Sequence, residues 1–207
     1  MRSLSLVIAF CGSMSLAAAA HAADNTSEFF NGKDLEGWQG LSEYWSVKEG
    51  ALVGATPAGL KFNTFLCSKK KYRDFELTFQ VRLKDGTGNS GVQIRSDIVD
   101  TDHFTVRGPQ ADIAMGYWGS LYGELFGGMM KAAPPDVVKQ ALKPADFNDY
   151  SIRVVGKHAT IKLNGATTVD DDFPKMPDEG IIAWQLHQGA PMEVTFRHIQ
   201  FKELGGK

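Results

Sequence analysis

Between residues 75 and 83 the chain alternates almost without a break, Phe75, Leu77, Phe79, Val81 and Leu83 against Glu76, Thr78, Gln80 and Arg82. A period of two sends the first set to one face of a strand and the second to the other, so the segment predicts a half-buried strand. The pattern returns at Ile152 and Val154 and again at Ile161 and Leu163, on either side of a turn at Gly156-Lys157. Asn164-Gly165 then supplies two residues that tolerate positive φ, which a tight hairpin requires. Two further strands are predicted over 180–187 and 192–202, joined through Gly189-Ala190-Pro191. Helix is scarce: Pro134-Pro135 opens one short helical stretch, 136–142, on an inserted loop. Many short strands with regular turn signals predict an all-β, two-sheet antiparallel sandwich with no internal repeat.

Three polar triplets interrupt the apolar pattern: Gln93-Ile94-Arg95, Gln110-Ala111-Asp112 and Gln185-Leu186-His187. On a strand the first and third residues of each share a face. If the three strands are neighbours, one sheet face carries three amides, a guanidinium, a carboxylate and an imidazole, a set suited to sugar hydroxyls with acid/base groups among them. A half-buried strand alternates polar and apolar in any case, and a single triplet would read as a solvated face. Three triplets led by Gln, without the usual surface Lys or Glu, favour a site.

Composition narrows the setting. Arg2, an apolar run over 4–16 and small residues over 17–23 have the form of an export signal, which predicts a signal peptide over 1–23, a mature domain over 24–207 and a periplasmic or secreted protein. The apolar run is too short to predict a membrane span. Cys11 falls in that signal, which leaves Cys67 alone with no internal disulfide partner, so stability must come from a packed core. With 22 basic and 24 acidic residues the chain is close to neutral, which argues against nucleic acid as a partner. The sequence carries no Gly-rich phosphate loop and no Gly-x-Ser-x-Gly elbow, so neither a nucleotide cofactor nor serine hydrolysis is expected.

A series of segments resembles one family in order along the whole mature chain. It opens with Phe29-Phe30-Asn31-Gly32-Lys33-Asp34-Leu35-Glu36-Gly37-Trp38 and continues through Trp45-Ser46-Val47, Asp74-Phe75-Glu76-Leu77 and Gly88-Asn89-Ser90-Gly91-Val92-Gln93-Ile94-Arg95. Gly108-Pro109-Gln110-Ala111-Asp112-Ile113, Gly119-Ser120-Leu121-Tyr122, Leu163-Asn164-Gly165 and Phe196-Arg197-His198-Ile199 complete it. On these residues the chain resembles the 3-keto-disaccharide hydrolase family. The resemblance implies a concanavalin-like jelly roll, a carbohydrate substrate, and action on glycosides oxidised at C3.

A ketone at C3 acidifies the hydrogen at C2. A base can remove that proton and the C1 substituent can leave by elimination, with water adding afterwards, so the two straddling carboxylates of ordinary glycosidases are not required. The chemistry needs a base near neutrality, a donor for the enolate oxygen and an acid for the leaving group. His187 is the candidate base, Asp112 a candidate base, acid or orienting group, and Arg95 the candidate enolate clamp. Gln93, Gln110 and Gln185 suit vicinal hydroxyls, and Trp118 and Tyr122 suit stacking on a sugar ring. Glu124 is a further acid candidate. His187, Asp112 and Glu124 are also the right types for a divalent metal, but no diagnostic spacing assigns one. The competing reading is a noncatalytic carbohydrate-binding module of the laminin-G or lectin kind, since this fold serves both roles.

Overall fold

The computed structural model describes residues 23–24 and 26–205. The predicted export signal falls on residues outside that range, apart from Ala23. Fifteen strands follow in chain order: β1 Ala23–Asp24, β2 Trp38–Gln39, β3 Trp45–Lys48, β4 Ala51–Thr56, β5 Thr64–Ser68, β6 Phe75–Leu83, β7 Asn89–Asp100, β8 Thr105–Ala114, β9 Leu121–Glu124, β10 Gly128–Lys131, β11 Asn148–Val155, β12 His158–Leu163, β13 Ala166–Asp172, β14 Ile181–Leu186 and β15 Met192–Glu203. Two short α-helices, α1 Thr26–Phe29 and α2 Pro135–Ala141, and one 3-10 turn at Lys84–Gly86 join them.

The strands form two sheets. One runs β13-β12-β11-β6-β15-β4-β3, with β1 also paired to β15; the other runs β10-β9-β8-β7-β14-β5-β2. All of their pairings are antiparallel. The alternation over 75–83 is realised residue for residue, with every odd position of β6 buried. The Asn164-Gly165 turn has the positive φ values that its residues permit, 48° and 83°. Between the sheets lies one core built from inward faces, including Leu77, Phe79, Val81, Ile94, Ile113, Trp184, Leu186 and Phe196. Trp38 and Trp45 belong to it, and burial alone pushes the Cys67 thiol up to about 12. No helix among the described residues is long and apolar enough to cross a membrane.

The second sheet also buries part of its outer face. Phe65, Cys67, Val106, Ile181 and Ala183 form a separate apolar cluster there, joined by Ile98 and Phe104 from the far end of the β7–β8 ribbon. The ribbon reaches back over the sheet because it contains a bulge. Gln93 pairs with Gln110 and Asp97 with Arg107, so three residues of β7 oppose two of β8, and Arg95 within the bulge has φ 48°. Bulges bend the strand that carries them. The ribbon's tip is fastened where Thr64 Oγ1 donates to the His103 carbonyl at 2.7 Å and Phe62 meets the His103 ring edge-on. Bulge and fastening together raise a wall beside the exposed part of the sheet.

Candidate functional site

Beside that wall is a cleft of about 300 Å³, lined by Asn63, Asn89, Gln110, Asp112, Ala114, Tyr117, Tyr122, Glu124, Gln185 and His187. Its floor is the outer face of β7, β8, β9 and β14. Ala111, Ile113 and Leu186 turn inward to the core, so Gln110, Asp112 and Gln185 turn outward. His187 follows directly after β14. Gly91 pairs with Asp112 across the ladder. A Cβ on Gly91 would stand 2.6 Å from Gln110 Cδ, so the missing side chain is what lets the Gln110 amide lie over β7.

The amides make one continuous network. The Gln110 amide nitrogen lies 2.8 Å from Asp112 Oδ1 and 3.2 Å from Gln185 Oε1, and its oxygen lies 2.9 Å from the Gln93 amide. Gln93 is fully buried, with Ser96 Oγ at 2.7 Å. It supports Gln110 from behind and does not line the cleft.

Besides Gln93, expected to bind hydroxyls directly but buried behind Gln110, two residues expected at the site lie elsewhere. Arg95 was to share Gln93's face through strand parity, but its left-handed backbone at the bulge breaks that parity. Its guanidinium donates instead to the carbonyls of Arg73, Gly156 and Pro177 and to Asp74 Oδ1, the last at 2.7 Å. Arg95 thus ties three turns together and is absent from the cleft. Trp118 is buried, 2 % exposed, and packs towards Tyr150 rather than over the cleft. The exposed aromatic of that loop is its neighbour Tyr117, at 48 %. The other stacking candidate, Tyr122, lines the cleft.

Asp112 is mostly buried, and desolvation raises its carboxyl to about 7; hydrogen bonding from Gln110 opposes the rise and the charge of Glu124 adds to it. The His187 Nδ1 hydrogen donates to the Gln188 carbonyl at 2.6 Å, which leaves Nε2 of the neutral ring with a free lone pair. Asn63 donates to Glu124 at 3.0 Å and accepts from the Gln188 amide at 2.9 Å, so it braces both ends of the cleft. Among the described residues no three His, Cys, Asp or Glu side chains are grouped as a metal site.

Asn63 and Tyr117 escaped the sequence reading, and Asn89, which reads from the sequence as part of a turn or bulge that starts the strand rather than a contact, lines the cleft. Asn89 carried a usable signal, because 89, 91 and 93 share strand parity and Gln93 was already placed on that face. Asn63 stands in a loop, where no periodicity exists to reveal it. Tyr117 and Trp118 are adjacent loop aromatics, and only the turn geometry decides which of them points inward.

Several solved structures share this arrangement of sheets. Two are described as a "putative glycosyl hydrolase" from Parabacteroides distasonis. One is 20% identical over 88% of this chain and 100% of its own length, with TM-score 0.63. The other is 24% identical over 83% and 96%, with TM-score 0.61. A third, the carbohydrate-binding module CBM66 from Bacillus subtilis, is 16% identical over 80% and 95%, with TM-score 0.58. The fold is therefore a two-sheet jelly-roll sandwich. Residues 25–202 match the model of the 3-keto-alpha-glucoside-1,2-lyase-like domain, so the chain belongs to that family and its function is carbohydrate-related. A search of curated proteins finds no match.

Proposed function

We propose that this protein cleaves glycosides oxidised at C3, taking the C2 proton and expelling the C1 substituent. The observation that carries the reading is the presence in one cleft of an imidazole with a free Nε2 and a mostly buried carboxyl, among amides and tyrosines suited to sugar hydroxyls. A lectin needs the amides and aromatics but has no use for a base and a carboxyl whose proton affinity is raised to the neutral range. His187 is the base. With Arg95 committed elsewhere, the enolate oxygen meets donors drawn from the Asn89 amide and the Tyr117 and Tyr122 hydroxyls, and among the described residues no Arg or Lys lines the cleft. Gln110 and Gln185 bind the ring. Family membership supports this reading, while the likeness to a binding module keeps simple sugar capture as its rival.

Incubation with 3-keto-trehalose and with 3-keto-glucosides separates the two. A lyase releases the aglycone or second sugar and leaves the unoxidised disaccharide intact, because without the ketone the C2 hydrogen is not acidic enough to remove. Binding without turnover of any oxidised glycoside would leave the module reading in possession. Export to the periplasm, proposed from the N-terminal pattern, is checked by mass spectrometry of the secreted form, which should begin near Ala23 or Asp24.

A further inference from the structure

A carboxamide's oxygen and nitrogen fill nearly the same space, so a row of amides at fixed positions can be hydrogen-bonded in either of two directions. In one direction Gln93 Nε2 donates to Gln110 Oε1, and Gln110 Nε2 donates to Asp112 and to Gln185 Oε1. That direction suits an ionised Asp112, and it has two faults. The Gln93 oxygen accepts from Ser96 Oγ at 2.7 Å but also faces the carbonyl oxygens of Pro109 and Gly108 at 3.1 and 3.3 Å, acceptor against acceptor. Gln185 Nε2 is buried without a partner among the described residues.

The opposite direction relieves both. A reversed Gln93 donates to the Pro109 carbonyl and to Ser96 Oγ, 2.7 Å away, while Ser96 donates onward to the Ile94 carbonyl at 3.2 Å. The Gln93 oxygen then accepts from Gln110, so Gln110 must reverse too and turn its oxygen towards Asp112 and Gln185. Reversal of Gln185 lets its nitrogen donate to that oxygen at the same 3.2 Å separation. The unpaired position is left with a carbonyl oxygen, which tolerates burial better than an N–H. One contact remains, 2.8 Å between the Gln110 oxygen and Asp112 Oδ1. Two oxygens that close need a proton between them, and Asp112 is the group able to carry it.

We propose that Asp112 is held protonated in the resting protein by the reversed row Ser96, Gln93, Gln110 and Gln185, and that it is the acid that serves the leaving group. The second half of the proposal rests on the lyase reading above. The surroundings favour the neutral form: Glu124 on β9 brings a like charge, burial holds the Tyr150 hydroxyl well above its ordinary value, and His187 is the one nitrogen base among the described residues that line the cleft. Tyr150 donates to the Asp112 backbone carbonyl at 3.0 Å and leaves the carboxyl free of it. In the reaction His187 Nε2 takes the C2 proton, and the C–H electron pair becomes the enolate. That pair then forms the C1–C2 double bond as the C1–O bond breaks, the Asp112 proton passes to the departing oxygen, and the Gln110 amide turns its nitrogen back to donate to the new carboxylate. The products are the unsaturated ketone and a free alcohol, with His187 protonated and Asp112 ionised. Transfer of one proton from His187 to Asp112 through solvent restores the start.

Infrared titration of the wild-type protein, with Asp112→Asn as the subtraction reference, reads the proton without any substrate. A neutral carboxyl that persists well above the ordinary carboxylate range, about pH 4, and is absent from the variant supports the proposal; ionisation in the ordinary range overturns it. Gln93→Met removes the reversed row's anchor without touching the cleft. It should move that titration, and the alkaline limb of the activity profile, to lower pH, and an unmoved titration counts against the row as its cause. For the acid role, Asp112→Asn should lose about 10²- to 10⁴-fold on a 3-keto-disaccharide but no more than about tenfold on a 3-keto aryl glycoside, whose leaving group needs no proton. Equal losses on both substrates overturn the acid assignment. If the wild type cleaves neither substrate, the lyase reading and the acid role fall together, and the infrared titration still decides whether Asp112 carries a proton.

Discussion

Gln93 and Arg95 sit two residues apart on β7, both buried and both at the centre of a polar cluster, yet the clusters do opposite things. Arg95 makes four hydrogen bonds, three to backbone carbonyls and one to Asp74, and it does not line the cleft. Gln93 belongs to a network whose far members, Gln110, Asp112 and Gln185, line a cleft, and one amide position of Gln185 is buried without a partner among the described residues. A buried polar group with its bonding capacity filled is a fastening. One whose network ends at a cavity keeps capacity for a ligand. The bulge between them makes the separation, since a regular β7 would have put both side chains on the same face.

The sharpest way to break that comparison is at its reactive end. His187→Ala should lower turnover of a 3-keto-glycoside by about two to four orders of magnitude, the usual loss with a general base, while the melting temperature stays close to wild type because the ring is partly exposed and contributes no core volume. Steady-state kinetics beside a thermal melt reads both. Retained turnover would remove His187 from the mechanism.

Arg95→Ala should do the reverse. Removing one partner of a buried ion pair costs about 3–5 kcal/mol, and here Asp74 and three carbonyls lose their donor together. Chemical denaturation should show that loss, while kcat per folded molecule remains near wild type. A variant of normal stability that had lost catalysis would return Arg95 to the site.

The pH dependence of stability tests Asp112. Its folded value, about 7, lies above an unfolded value of about 4. The folded state therefore binds the proton more tightly, and this contribution is fully present below pH of about 4 and is lost as pH rises through about 7. A difference of about three units corresponds to at most about 4 kcal/mol. Denaturation midpoints measured across that window should fall with rising pH in the wild type and flatten in Asp112→Asn. A wild-type curve with no slope in that window would mean an ionised Asp112 at the cleft.

The sandwich was legible because burial imposes a period of two on β6, β11, β12 and β15, and the periodicity survives any detail of packing. Much of the site was legible for the same reason: Gln110, Asp112 and Gln185 each alternate with a residue committed to the core. The reading failed where backbone geometry departs from the regular strand. Nothing in Gln93-Ile94-Arg95 itself announces that Arg95 adopts φ 48°. The cause is distributed over Gly108 and Gly180, where a Cβ would come within 2.2 Å of Ser96 Oγ and of the Arg95 carbonyl carbon respectively. Loop residues such as Asn63 and Tyr117 have no period to betray them, and their roles depend on partners distant in sequence.

The smallest expected effect is the one that joins the two regions most finely. Gly91 lies under the Gln110 amide, and an added methyl would meet three atoms of that side chain between 2.6 and 2.7 Å. The obstacle is a side chain rather than backbone, so Gln110 can give way. Gly91→Ala should then cost about 1–3 kcal/mol of stability, the range for overpacking a filled site, and it should also push the Gln110 amide off Asp112 and Gln185. Displaced from both, Gln110 can no longer fix the direction of the amide row, so the Asp112 titration should move along with the loss of sugar affinity. Arg95, two residues past Gln93 and bonded wholly to other turns, should be unaffected. Isothermal titration with an unreactive glycoside, paired with the infrared titration, measures both changes. A Gly91→Ala protein with unaltered affinity and an unaltered Asp112 would show that Gln110 is held by something other than the space above β7.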